Sequence, residues 1–217
     1  MRINPARPLL LGSLFAIASA VGAQVNDKGT FHIGLGWNGG VHATHFENSF
    51  RIGSARIEDS DDDGAVTSSF PIDIRYGVAK SFTVGLYLEP GIYLDSNDTQ
   101  TNNYFLFGLS GRYYLIKKDH FGWDAGLDLG TGALRIKDTE NGQAITDTYA
   151  GGHLRLCTDF YFYFGRVFGV NLGLKYAAHN LKWRDRDPSD PNLDALDYEA
   201  TLRTSGVQLQ VGLQVRL

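Results

Sequence analysis

The segment Asp59-Ser60-Asp61-Asp62-Asp63-Gly64 places carboxylates at its first, third and fifth positions and a glycine at its sixth, the spacing with which one tight turn gathers oxygen ligands around calcium. Val66 supplies an apolar residue at position eight, but position twelve, where such a loop carries a bidentate Glu, is Phe70. Asp59, Asp61 and Asp63 are therefore candidate Ca2+ ligands of a weakened site, and a solvated acidic tip is the plainer reading. A second group, His42, His45, Glu47 and Ser49, contains the types needed for a base and a nucleophile. On a strand, however, residues three apart face opposite sides, so His42 and His45 do not converge, and polar loop residues explain the group as well. His153 and the single Cys157 read as a hydrogen-bonded group and a small filler on a polar strand face. Nucleotide loops, Cys-rich metal sites and nucleic-acid patches are absent from the sequence, so no nucleic-acid partner is expected.

What these residues can do depends on the elements that hold them. The first residues combine Arg2 and Arg7 with an apolar run from Leu9 to about Val21 and small residues before Gln24, the layout of a secretory signal cleaved after Ala23, with Ala20 the alternative. The run is shorter than the roughly 20 residues a spanning helix requires. Residues 1–23 are thus read as a signal peptide and 24–217 as one domain. With one cysteine, that exported domain has no internal disulfide. The 26 Gly, 13 Phe and 11 Tyr against 6 Pro favour an all-β chain.

Apolar residues recur at every second position from Lys28 onward, the period of a strand with two unlike faces. The pattern predicts eight strands, over 31–38, 70–78, 82–89 running on to 93, 105–115, 121–130, 153–164, 168–176 and 207–217. Short connections (79–81, 117–120, 165–167) alternate with long polar ones (44–69, 95–103, 134–148, 180–201). Even strand number, hairpin turns on one side and long loops on the other form the pattern of an antiparallel up-and-down transmembrane β-barrel. Aromatic residues near the strand ends, such as Tyr76, Phe82, Tyr113, Phe162 and Phe168 beside the turns and Trp37, Phe70, Phe105 and Tyr176 toward the loops, fit two interfacial girdles.

In such a barrel the apolar face meets lipid and the other face fills the lumen. That second face carries Asp73, Glu89, Asp124, Asp128 and Asp159 against Arg75, Arg112, Arg155, Lys175 and Arg216. Eight strands enclose a space that side chains can fill, and unpaired buried charges are costly, so a paired lumen network with little conductance is expected. Asp and Glu outnumber Lys and Arg in the four long connections, whereas Lys80, Lys117, Lys118 and Arg166 dominate the short turns.

On this layout the chain from Lys28 to Leu217 resembles the eight-stranded outer-membrane β-barrel family of Gram-negative bacteria, of the OmpX, OmpW and OmpA-membrane-domain type. The resemblance implies an outer-membrane location, contact with outer-membrane lipids and lipopolysaccharide, and folding by the barrel assembly machinery. The family's last strand ends in an aromatic residue; here Leu217 takes that place. A monomeric, non-enzymatic barrel is expected, acting in envelope integrity or surface adhesion through acidic outer loops that meet an extracellular ligand. A lipid A-modifying enzyme and a narrow small-molecule channel are the alternatives.

Overall fold

The computed structural model describes residues 25–52, 54–95, 100–140, 143–188 and 198–217; the signal segment 1–23 lies outside the described residues. Nine strands follow one another: β1 (Phe31–Ile52), β2 (Ala55–Ser69), β3 (Ile72–Ala79), β4 (Phe82–Asp95), β5 (Asn102–Lys117), β6 (Phe121–Glu140), β7 (Gln143–Tyr163), β8 (Phe168–Asp187) and β9 (Glu199–Arg216). Every neighbouring pair is antiparallel, and β1 pairs with β9 from His32↔Arg216 to Ser49↔Glu199, so the sheet closes on itself.

β2 and β3 occupy a single place in the wall. Both lie between β1 and β4, and the register with β1 runs on unchanged from Asn38↔Ser69 to Leu35↔Ile72. The interruption falls at Phe70-Pro71, where the proline ring has no N–H to give the ladder. Its carbonyl still accepts from Gly36 N at 2.9 Å. The barrel therefore has the eight strand positions that the sequence predicts.

The strand lengths differ from expectation. Most of 44–69, read as the first outer loop, is ladder: β1 pairs with β2 continuously from Asn38↔Ser69 to Ile52↔Ala55. The connection read at 134–148 is likewise strand up to Glu140 and again from Gln143. The acidic segment thus lies on β2 and not at a loop tip, because backbone pairing with β1 satisfies its N–H and C=O groups better than an open loop does. The short turns fall where the sequence places them, around Lys80-Ser81, Lys118–His120 and Gly165–Val167.

Along the lower part of every strand the large apolar side chains point outward. On β4 they run from Phe82 through Val84, Leu86 and Leu88 to Ile92, all exposed. Ten residue steps cover about 33 Å of strand. At the tilt of such barrels this gives a band about 25 Å tall, matching a hydrocarbon layer. Phe31, Tyr76, Phe82, Tyr113, Phe162 and Phe168 rim its lower edge, and Trp37, Phe70, Phe105 and Tyr176 its upper edge. Trp37 Nε1 donates to Ser68 Oγ at 2.8 Å, the polar handle expected of an interfacial indole. No helix among the described residues is long and apolar enough to cross a membrane.

Candidate functional site: a sealed lumen beneath an outer collar

The lumen is built in layers. At the bottom, the residues before β1 turn inward. Val25 is buried against Tyr114, Tyr161 and Tyr163. Asn26 Nδ2 donates to the carbonyls of Ala79 and Lys80, both at 3.1 Å, and Asn26 Oδ1 meets His32 Nε2 at 3.1 Å. Arg216 closes this end: it stacks on the Tyr163 ring (4.6 Å to the centroid) and its Nε donates to Arg166 O at 2.9 Å.

Above this plug lies the charge network, brought together from strands far apart in sequence because alternate residues of each face inward. Arg75 donates to Asp73 Oδ1 (2.7 Å) and lies 3.5 Å from Asp124. Arg112 meets Asp128 at 2.6 Å, Asp159 at 3.5 Å and Asp124 at 4.0 Å. Arg155 pairs with Glu89 and, at 3.0 Å, with Asp128. Glu89 also accepts from Asn38 Nδ2 (2.9 Å) and Ser69 Oγ (2.7 Å). Lys175 is buried in the same layer, lining with Arg112, Asp128, Arg155 and Asp159 a cavity of ≈ 20 Å³, room for about one water. Cys157 fills space there, with Sγ 3.4 Å from Asp128 Oδ2. Glycine makes the layer possible: a Cβ on Gly126 would stand 2.1 Å from Gly111 O and 2.5 Å from Arg112 Cδ.

A histidine layer follows. His153 is hydrogen-bonded to the Tyr87 hydroxyl, and its ring lies 5.5 Å from that of His179, which lies 6.0 Å from that of His42. His42 Nε2 meets Thr67 Oγ1 at 3.0 Å. His153 is the hydrogen-bonded lumen residue that the sequence predicts, whereas His179 has no local signal because its partners arrive from β1 and β7.

Above the histidines the interior becomes apolar. Tyr93, Leu134, Tyr149, Leu181, Ala200 and Leu202 are buried together, with Phe46, Tyr104, Ile136, Trp183 and Tyr198 packed against them. A cavity of ≈ 30 Å³ between Leu106, Leu134, Leu181, His42 and His179 separates the two regions. At this height the outward positions are polar, including His45, Glu47, Arg135, Lys137, Lys182 and Arg203. Each strand therefore reverses its facing rule on leaving the membrane: apolar outside and polar inside below, polar outside and apolar inside above. The upper part is a collar standing in water with an ordinary hydrophobic core.

The chemistry-bearing residues sit on this collar. His42 points inward and His45 outward, as strand geometry requires. His45 bridges Asp62 Oδ1 (2.6 Å, through Nδ1) and Glu47 Oε1 (3.1 Å, through Nε2), and these two hydrogen bonds raise its pKa. Ser49 Oγ accepts from Arg56 Nη2 at 3.0 Å and meets no histidine, so base and nucleophile are not paired. Arg56 also reaches Glu58 (2.9 Å) and Glu199 (3.6 Å), and Arg203 reaches Glu47 (3.1 Å). His45, Glu47, Ser49, Arg56, Glu58 and Glu199 line a polar cleft of ≈ 470 Å³.

Asp59, Asp61 and Asp63 alternate along β2, which spaces neighbouring members roughly 7 Å apart along the strand. Each accepts through Oδ1 from the backbone N–H of the next residue, at 3.0, 3.0 and 2.7 Å. A calcium ion needs its oxygens 2.3–2.6 Å from one point. Among the described residues no three His, Cys, Asp or Glu side chains come together so as to hold a metal ion.

No protein-family model and no curated protein sequence matches the chain. Solved structures do match in shape. OprG, an outer membrane protein of Pseudomonas aeruginosa, superposes with a TM-score of 0.53 at 12% identity, covering 88% of this chain and 97% of that one. The outer membrane protein AlkL superposes with a TM-score of 0.53 at 10% identity, covering 91% and 93%. The fold is that of the small outer-membrane β-barrels. For such a barrel, at identities this low, the likeness extends to the backbone path and not to the residues of the lumen or the collar.

Proposed function

We propose that the chain is a non-enzymatic outer-membrane barrel that acts at the cell surface through its collar, with the β1–β2 arm as its contact element. The observation that supports this reading is the contrast between a lumen filled by side chains from the Val25 plug to the apolar core and an arm rich in exposed acid. That arm carries Glu47, Glu58, Asp59, Asp61, Asp62 and Asp63 against Arg51 and Arg56. A filled lumen offers no route for solute, whereas a projecting acidic sheet favours basic partners and raises their encounter rate. Contact with outer-membrane lipids and lipopolysaccharide, and insertion by the barrel assembly machinery, follow from the same reading. Calcium at Asp59, Asp61 and Asp63 would act here as a bridge to a second acidic surface and not as a caged ion.

The reading is tested with proteoliposomes carrying the barrel, measured for binding to a surface coated with basic peptide. Binding that falls with salt and is lost when Glu58, Asp59, Asp61 and Asp62 become Gln or Asn supports it. Equal binding by the neutralised arm overturns it. Calcium-dependent clustering of the same proteoliposomes, abolished by Asp61→Ala, is the outcome expected of the bridging site.

A further inference from the structure

On the side of the collar away from the acidic arm, the outward face has the opposite sign. Arg135 and Lys137 on β6 and Lys182 and Arg184 on β8 are exposed just above the apolar band. None of their side chains makes an ion pair or hydrogen bond with a described residue, unlike Arg56 and Arg203 on the arm side. The nearest carboxylates along these strands, Asp138 and Asp185, occupy the alternate positions and form no ion pair with them. Asp147 is already taken by Arg186 (2.8 Å) and Trp183 Nε1 (3.0 Å).

Between the two basic strands, β7 presents only small residues. A groove of ≈ 590 Å³ runs over Ala150, Gly152 and Ala178, with Leu154 at its lower end, Asn180 beside Gly152 on one wall, and Lys182 and Arg184 at its upper end. The register sets the cations on both flanks: Ala150 pairs with Ala133 on one side and Lys182 on the other, and Arg135 pairs with Thr148. With strands about 4.8 Å apart, β6 and β8 stand roughly 10 Å from each other across the groove. The groove is thus apolar where it joins the hydrocarbon band at Leu154 and Ala178, polar at Asn180 and cationic above it, where lipid headgroups lie.

We propose that this groove is a lateral site for a phosphorylated glycolipid of the outer leaflet. Its phosphates pair with Arg135, Lys137, Lys182 and Arg184, and an acyl chain lies along the Ala150, Gly152 and Ala178 strip. Arginine forks suit phosphate oxygens, and cations with no partner among the described residues attract anionic headgroups at a membrane surface. The site rests on the proposed outer-membrane placement with the collar outward, and not on the acidic arm or any partner the arm meets.

The experiment uses the full folded barrel in neutral-lipid nanodiscs, titrated with diphosphorylated lipid A and with its phosphate-free counterpart, and read by native mass spectrometry. The expected result is preferential retention of the phosphorylated lipid, reduced at least about tenfold by combined R135Q, K137Q, K182Q and R184Q. Gly152→Trp gives an independent arm: a Cβ there meets nothing nearer than Gly130 O at 3.8 Å, so the barrel accepts the substitution while the ring fills the groove. It should cut retention with all four cations in place. Equal retention by either variant, or no preference for phosphate, overturns the proposal. Competition by inorganic phosphate at the lipid's own concentration would also overturn it, by assigning the cations to a free anion.

Discussion

Arg155 and Arg56 show how depth decides what a charge pair contributes. Arg155 and Glu89 are 1% and 0% exposed, and Arg155 also serves Asp128. Removing one partner leaves a buried charge uncompensated, so Arg155→Met is expected to cost about 3–5 kcal/mol. Arg56, half exposed beside Glu58, should cost under about 1 kcal/mol when changed to Met. Urea unfolding in micelles measures both, and equal losses would contradict the layered lumen. His45 carries a pH prediction of known sign. Hydrogen bonds that its ring donates to Asp62 and, more weakly, to Glu47 raise its pKa above the ordinary 6.5. A pKa raised on folding stabilises the native arm below the unfolded value, and that contribution disappears as pH rises through the folded value. NMR titration of the imidazole should give a higher midpoint in the native chain than in Asp62→Asn; identical midpoints would refute the bridge.

At the scale of the strand, position along its length sets what an outward residue must be. Leu109 faces lipid on β5, and Leu109→Arg is expected to destabilise the barrel by about 2–4 kcal/mol. Thr139, outward on the collar part of β6, should accept the same arginine with little change, as judged by heat-modified gel mobility and urea midpoints. Most of this was legible in the sequence: the two-residue period gave strand number, turns and the lumen charges, since a lipid-facing surface tolerates few exceptions. The collar was not, although its signal is present. On β6 the apolar residues occupy odd positions at Leu127 and Leu129 and even ones at Leu134 and Ile136, and on β9 they pass from Ala200 and Leu202 to Val207 and Leu209. A change of phase within a continuous strand looks like loss of pattern, and so these segments read as loops. Asp59, Asp61 and Asp63 were misplaced for the same reason: local spacing suggested a turn, and pairing with β1, a non-local effect, made a strand. The histidine layer needed three separate strands and had no local signature.

For the whole molecule, the decisive property is that the barrel is occupied from end to end. Aromatic rings and Val25 fill the lower mouth, ion pairs the middle and an apolar core the collar, and the proposed role of the outer surface rests on that filling. Cys157 reports on this directly, being the chain's one cysteine and buried in the charge layer against Asp128. The most direct measurement is its modification by a small charged methanethiosulfonate in the folded barrel, with the urea-unfolded chain as the reactive reference. A filled lumen predicts that the folded thiol stays unmodified over hours from both membrane faces while the unfolded chain labels fully. Rapid labelling of the folded barrel would show a water-filled passage and contradict the account.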